Sequence, residues 1–204
     1  MRTGSPQRAG RAPHPGEPDA AGLRQAMGRF PTGVTLLTCG YGGETTAMTL
    51  NSLVSVSLDP LLVLVSVNRE GRMRPLVSKA GTFAVNLLTD RQRELALAFA
   101  RPDRPEGEAA VRRTAAVEGA TGNAVLPSAL AGLECELHAE VEAGDHVLLI
   151  GRVVTIHLGD RGTPPLVFHR GSFTGLAAPA DGDDPGPAHR PRQSGADRPL
   201  TEEP

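Results

Sequence analysis

Tryptophan is absent from the 204 residues, and the only aromatics are one tyrosine and five phenylalanines. A hydrophobic core must therefore rest on Val, Leu and Ala. Cysteine is almost absent too. Cys39 and Cys135 are far apart and form no CxxC pair, so a disulfide framework is excluded and a reduced, cytoplasmic protein is expected. The longest apolar runs, such as Leu61 to Val65, are far too short to span a bilayer. Met1 to Ala20 holds no apolar stretch that reads as a signal peptide. Neither sign of charge dominates: the formal net charge is -2, which gives no reason to expect nucleic acid or an anionic membrane as partner.

Several site motifs are missing as well. No GxGxxG follows a strand and no GxxxxGK[ST] occurs, which disfavours a Rossmann-type dinucleotide site and a P-loop. No HExxH or paired-cysteine spacing offers a metal site, and the six histidines (His14, His138, His146, His157, His169, His189) are scattered. No GxSxG elbow supports a serine hydrolase.

What is present is concentrated in the middle. Ten of the 18 prolines fall in residues 1–20 and 177–204, whereas all six aromatics lie between those segments. A stretch rich in Pro, Gly, Arg and Asp without aromatics cannot bury enough surface to offset its ordering entropy. The expected organisation is a single folded unit over 21–176 with two disordered tails.

Within that unit the pattern is mostly β. Strands are expected at Gly33 to Cys39, Thr45 to Thr49, Leu53 to Leu58, Leu62 to Val67, Thr82 to Leu88 and Leu166 to His169. Leu53 to Leu58 alternates, with Val54, Val56 and Leu58 on one face and Ser55 and Ser57 on the other. Leu62 to Val67 is nearly all apolar, so burial on both faces is expected. Leu133 to Val141 and His146 to Leu158 form a long hairpin turning at Ala143-Gly144-Asp145. Three helices are expected: Gly22 to Arg29, Arg72 to Lys79 and Asp90 to Ala100, the last opened by a Thr89/Gln92 capping box. Many strands, three peripheral helices and no βαβ alternation predict a mainly β fold, a β-barrel with peripheral helices.

Two segments are dense in small polar groups: Phe30-Pro31-Thr32-Gly33-Val34-Thr35, and Thr46 to Leu53 running into Ser55 to Pro60. Thr, Asn and Ser side chains plus free backbone amides can hydrogen-bond the edge of a planar heterocycle. The same residues also suit an edge strand with a polar loop.

In these segments the chain resembles the short-chain flavin reductase family, whose members have an FMN-binding split barrel. The family's FPTGVT, TANSF and SVSLDPPLV stretches stand here as FPTGVT, TLNSL and SVSLDPLLV. Downstream, Thr82 to Leu88 resembles the FAVNVL strand, and Gln92 to Ala100 the QxxLAxxFA helix. Gly144-Asp145-His146 with Gly151-Arg152-Val153 resembles GDHxxxxGxV. Pro165 to Gly171 with Gly175 resembles PLVYHRGxYxGL. The matches keep the family's order and cover almost all of residues 22–176.

The resemblance implies that FMN or FAD is bound and that NADH reduces it by hydride transfer. NADPH is less expected, since no Arg/Lys cluster in the sequence offers itself to a 2′-phosphate. It implies that Thr45, Thr46, Ala47, Met48 and Thr49, with Asn51 and Ser52, line the flavin ring and ribityl chain. Ser66, Val67 and Asn68 continue that wall. Arg72 and Met73 open the helix that meets the phosphate, where helix N-terminus and guanidinium both favour an anion. Ala98 and Phe99 touch the flavin. His146, as the catalytic residue, sits near the nicotinamide with Phe168, His169, Arg170 and Gly171. A solvent-side hairpin turn has no structural need for histidine. The polar strand end around Asn51 is expected to face the His146 turn across a cleft that stacks two flat rings. The resemblance further implies a homodimer with the flavin near the subunit interface, and release of reduced flavin to a separate monooxygenase.

Two stretches depart from the family. Gly71-Arg72-Met73 replaces the usual Ser-Arg-Thr before the phosphate helix, which removes a hydroxyl contact. Arg101 to Ser128 is divergent, charged and free of the family's aspartate-tryptophan turn. Fold does not fix function. A flavin carrier or sensor without turnover is the alternative, and a pyridoxamine-phosphate-oxidase-like enzyme would want more basic residues around its phosphate.

Overall fold

The computed structural model describes residues 18–160 and 162–176. The expected tails, apart from residues 18–20, lie outside them. Near the start of the described residues, the Asp19 carboxylate accepts from the Gly22 amide at 2.7 Å as the N-cap of α1 (Ala20–Met27).

The strands follow as β1 (Thr32–Gly33), β2 (Thr35–Cys39), β3 (Thr46–Leu50), β4 (Val54–Leu58) and β5 (Leu61–Asn68). Helix α2 (Met73–Ala80) ends on Gly81 at φ +69°, the left-handed position glycine takes without a Cβ penalty. After β6 (Thr82–Leu87), the Thr89/Gln92 capping box forms as expected and leads through a 3₁₀ turn into α3 (Arg93–Phe99). The divergent stretch contains α4 (Gly107–Thr114), β7 (Val117–Glu118) and β8 (Ala124–Val125). The long hairpin is β9 (Ala131–Ala143) with β10 (His146–Leu158), and β11 (Leu166–His169) and β12 (Ser172–Gly175) complete the chain.

Seven strands make one antiparallel sheet in the order β3-β2-β6-β9-β10-β5-β4, and β1, β11 and β12 make a second. The large sheet curls but no backbone ladder closes it. The short loop that joins its two edge strands, β3 and β4, is pinned to β5 by a side chain: the Ser52 hydroxyl donates to the Ser66 carbonyl at 3.1 Å and accepts from the Ser66 amide at 3.0 Å. One cluster, including Leu37, Val65, Val67, Met73, Phe83, Cys135 and Leu149, fills the inside of the curl. A second, including Leu36, Ala47, Leu88, Phe99, Ala110, Leu126 and Leu166, packs α3 and α4 against its outside. Each such side chain taken from water contributes about 1.5–3 kcal/mol.

The strands buried on both faces are β2 and β6, not β5; in β6 the consecutive residues Phe83 to Asn86 are all buried. In β2, Leu37 and Cys39 point into the inner cluster, Leu36 into the outer, and all five residues are buried. In β5, Val63, Val65 and Val67 are buried, while Leu62, Leu64 and Ser66 on the opposite face are half-buried. The Val54, Val56 and Leu58 row of β4 is exposed instead of buried, Leu58 at 79%. A bulge between Ser55 and Ser57 shifts its pairing with β5. β4 is therefore an edge strand with an apolar surface, the kind of edge that proteins normally cover.

Candidate functional site

The two polar motifs meet. The Asn51 amide donates to the Thr32 hydroxyl at 3.0 Å, and Ser52 clasps Ser66. Around them lies a cavity of about 690 Å³, lined among others by Phe30, Thr32, Asn51, Ser52, Leu64 and Ser66. A second cavity of about 640 Å³ is lined by Thr45, Thr46, Arg72, Lys79, Glu106 and Gly107 among others. Both volumes suit a cofactor-sized ligand. β3 runs from the second cavity toward the first, so Thr46 to Leu50 joins the two openings.

The individual residues divide by what their side chains do. Thr45 donates its hydroxyl to the Gly42 carbonyl at 2.9 Å, and Thr49 donates to the Ala96 carbonyl at 2.7 Å, tying β3 to α3. Ala47, Val67, Met73 and Phe99 are buried in the two cores, and Met48 packs against the inner one. These core side chains leave backbone, not side-chain, atoms for any ligand at those positions. Ala98 is half-buried on α3. The Asn68 side chain accepts from the Glu70 amide at 2.8 Å and shapes the turn before Arg72.

Arg72 is an exposed helix end, but a paired one. Its guanidinium contacts the Glu106 carboxylate at 2.7 Å and donates to the Pro102 carbonyl at 2.9 Å. Glu106 is held there by backbone. It bridges Thr46, and the neighbouring Gly107 amide donates to the Thr45 carbonyl at 2.7 Å. Gly107 has φ +57°, and a Cβ there would lie 2.9 Å from the Gly43 carbonyl oxygen, so only glycine fits this close approach. Arg104 packs beside this pair, and its Nε is buried with no hydrogen-bond partner among the described residues.

His146 lines neither cavity. Its Nδ1 lies 2.7 Å from Asp145 Oδ1 on the exposed hairpin turn. The hydrogen bond to His146 holds the exposed Asp145 carboxyl below the usual carboxylate range. His146 pairs with Asn68, and Leu148 with Ser66. Directly paired residues and alternate residues along a strand share a face. His146, Asn68, Ser66 and Leu64 therefore form one row on the outer face of the sheet, and the row runs into the first cavity at Ser66. Ser66 of that row lines the first cavity together with Asn51, and His146 stands further along the row.

Phe168 packs edge-on against Phe173 at 5.4 Å, and pairs with Thr32 of the first motif. Arg170 (φ +50°) and Gly171 (φ +78°) make the tight turn that follows His169. This turn brings Arg170 beside Arg24 and Arg29 around a cavity of about 500 Å³. A basic group therefore does exist in three dimensions, built from segments too distant for sequence to join.

A family profile described as flavin reductase like domain matches residues 27–177. The chain belongs to the flavin reductase-like family. It is 46% identical over 163 residues to the NADH-dependent FMN reductase AsuE2 of Streptomyces nodosus subsp. asukaensis, covering 80% of this chain and 88% of that protein. It resembles the crystal structure of BorF, the flavin reductase component of a bacterial two-component tryptophan halogenase, with 40% identity and a TM-score of 0.73, over 79% of this chain and all of that one. The Streptomyces globisporus NADH:FAD oxidoreductase SgcE6, solved with NAD and FAD fragments, is 36% identical with a TM-score of 0.73, over 80% of this chain and 96% of that one. For a flavin reductase-like chain the two cavities suit the cofactor: Thr32, Asn51, Ser52 and Ser66 line one with hydroxyls and an amide, and Arg72 lines the other, with Arg104 nearby carrying a buried donor that has no partner among the described residues. Sequence reasoning missed Arg104 and Glu106, which stand in the Pro-rich divergent stretch where no pattern marks them.

Proposed function

We propose that the chain is an NADH-dependent flavin reductase that reduces FMN or FAD and supplies the reduced flavin to a separate flavin-dependent monooxygenase. The observation that carries this reading is the pair of cofactor-sized cavities at the two ends of β3, one lined by Thr45, Thr46 and Arg72 and the other by Thr32, Asn51, Ser52 and Ser66, in a chain of this family. When bound, the flavin supplies hydride acceptance from the reduced nicotinamide, so the protein needs no general base. The chain's own work is positioning. Asn51, fixed by Thr32, and Ser52, fixed by Ser66, present hydrogen-bonding groups at one end. Arg72 offers charge at the other. His146 and the Phe168 to Gly171 turn belong on the nicotinamide side, and His146 there orients the carboxamide end of that ligand.

The cavities are open to solvent, which suits a flavin that comes and goes as a substrate. We further propose a cytoplasmic homodimer in which the exposed Val54, Val56, Leu58 and Leu61 of the β4–β5 hairpin meet a second copy. Among the described residues no helix is long and apolar enough to cross a membrane.

The test is steady-state oxidation of NADH and NADPH by purified protein with FMN, FAD or riboflavin added. Turnover with NADH and either nucleotide flavin supports the reading. Flavin binding without nicotinamide oxidation would leave a carrier, and neither activity would refute the assignment.

A further inference from the structure

Glu106 occupies the position of an anion at Arg72. Its carboxylate sits 2.7 Å from the guanidinium on the rim of the Thr45–Thr46 cavity. The contact is fixed by chain geometry and not by side-chain chance, because the Glu106 bridge to Thr46 and the Gly107 approach to Gly43 hold the strap over the cavity. Arg72 alone pairs with this carboxylate, and the Arg104 guanidinium stands near enough to feel the charges of both. Arg104 is half-buried, its Nη1 reaches only the Arg101 carbonyl at 3.5 Å, and its Nε has no partner among the described residues. A buried unpartnered donor is costly, and its persistence points to a ligand acceptor. Burial and the adjacent Arg72 lower the Arg104 pKa, while Glu106 raises it, as in a site with surplus positive charge.

We propose that Arg72 and Arg104 form a two-guanidinium clamp for the flavin phosphate, and that Glu106 is a built-in competitor that fills the clamp until the phosphate displaces it. This rests on the reading that Arg72 meets the phosphate of a flavin nucleotide. The surplus charge matches a phosphate monoester, which brings close to two negative charges where Glu106 brings one. The competitor also gives a reason for loose flavin binding. Release of the phosphate is assisted by a carboxylate already tethered a few ångströms away, at high effective concentration. An exposed ion pair of this kind is weak, so the competition tunes affinity without abolishing it.

The test is the affinity of the intact protein for FMN and riboflavin, read by quenching of flavin fluorescence. Riboflavin has the ring and ribityl chain but no phosphate. Arg104→Met is expected to weaken FMN about tenfold or more, since a charge-assisted bond to phosphate is lost, and to leave riboflavin unchanged. Glu106→Gln is expected to tighten FMN about two- to fivefold, again without effect on riboflavin. Inorganic phosphate is expected to compete with FMN on the unsubstituted protein, which needs no variant to fold. Equal losses for FMN and riboflavin in Arg104→Met would assign Arg104 to packing and overturn the clamp. Unchanged or weaker FMN binding in Glu106→Gln would overturn the competitor. Unsubstituted protein that binds neither flavin would instead refute the flavin reading itself.

Discussion

Glu134 offers a perturbation whose size can be worked from its surroundings. It is fully buried on β9, yet it is charged. Oε1 accepts from the Ala120 amide at 3.1 Å and lies 2.7 Å from His157 Nε2. Oε2 accepts from the Thr121 amide at 2.7 Å and the Thr121 hydroxyl at 2.6 Å. Burial pushes this carboxyl up, but the bonds from Thr121, His157 and Ala120 outweigh it and hold it below its ordinary value. Glu134→Gln keeps the shape and replaces one acceptor oxygen with a donor that faces a backbone N–H. One or two charge-assisted bonds at about 1.5–3 kcal/mol each are lost. The gain from no longer burying a charge offsets part of that, and the His157 side is 43% exposed and therefore screened. A net loss of about 3 kcal/mol follows, which lowers Tm by about 6–12 °C in a domain of this size. The pH dependence has a fixed sign. A carboxyl whose folded-state pKa is depressed stabilises fully above its unfolded value, about 4.3, and that stability is lost as pH falls through the folded value. Urea unfolding of the two proteins should therefore differ most at neutral pH and converge in acid. A difference below about 1 kcal/mol at pH 7, or a gap that persists unchanged in acid, would refute this account of the cluster.

Three further outcomes are expected. Gly151→Ala places a Cβ 2.8 Å from the Cys135 Cβ and against the Phe83 ring, and should cost about 1–3 kcal/mol in thermal unfolding. His146→Ala should raise KM for NADH about threefold to tenfold with flavin affinity little changed, and an unchanged KM removes His146 from the nicotinamide side. Val56→Asp with Leu58→Asp should shift the protein to monomer in size-exclusion chromatography and impair flavin binding, and an unchanged elution would move the interface elsewhere.

The strands were legible because alternation and β-branched runs mark them, and the long hairpin and the α3 capping box fell where the sequence put them. Burial was less legible. β5 is the more apolar strand, yet β2 and β6 are the ones covered on both faces. In β2 the polar Thr35 and Thr38 are buried because Thr35 donates to the Leu50 carbonyl and Thr38 to that of Ala124. Helix α4 escaped because its buried residues, Ala110 and Thr114, are small and leave no apolar stripe to detect. Of the site, the motif segments around Asn51 and Thr32 could be read, and their meeting is visible in the fold. The Glu106–Arg72 contact and the Arg24, Arg29 and Arg170 group join segments that only tertiary structure brings together.

The divergent stretch is attached in an unusual way. Thr38 grips the Ala124 carbonyl, Asn86 the Leu126 amide, and Glu134 the amides of Ala120 and Thr121, while Asn123 takes the Gly40 amide. Nearly every one of these anchors holds peptide groups, which all residues possess. The exposed side chains of Val117, Glu118 and Ala120 can therefore change while the fasteners stay the same. Such a segment is free to drift in sequence and to be fitted to whatever docks on it, without refolding the domain that carries it.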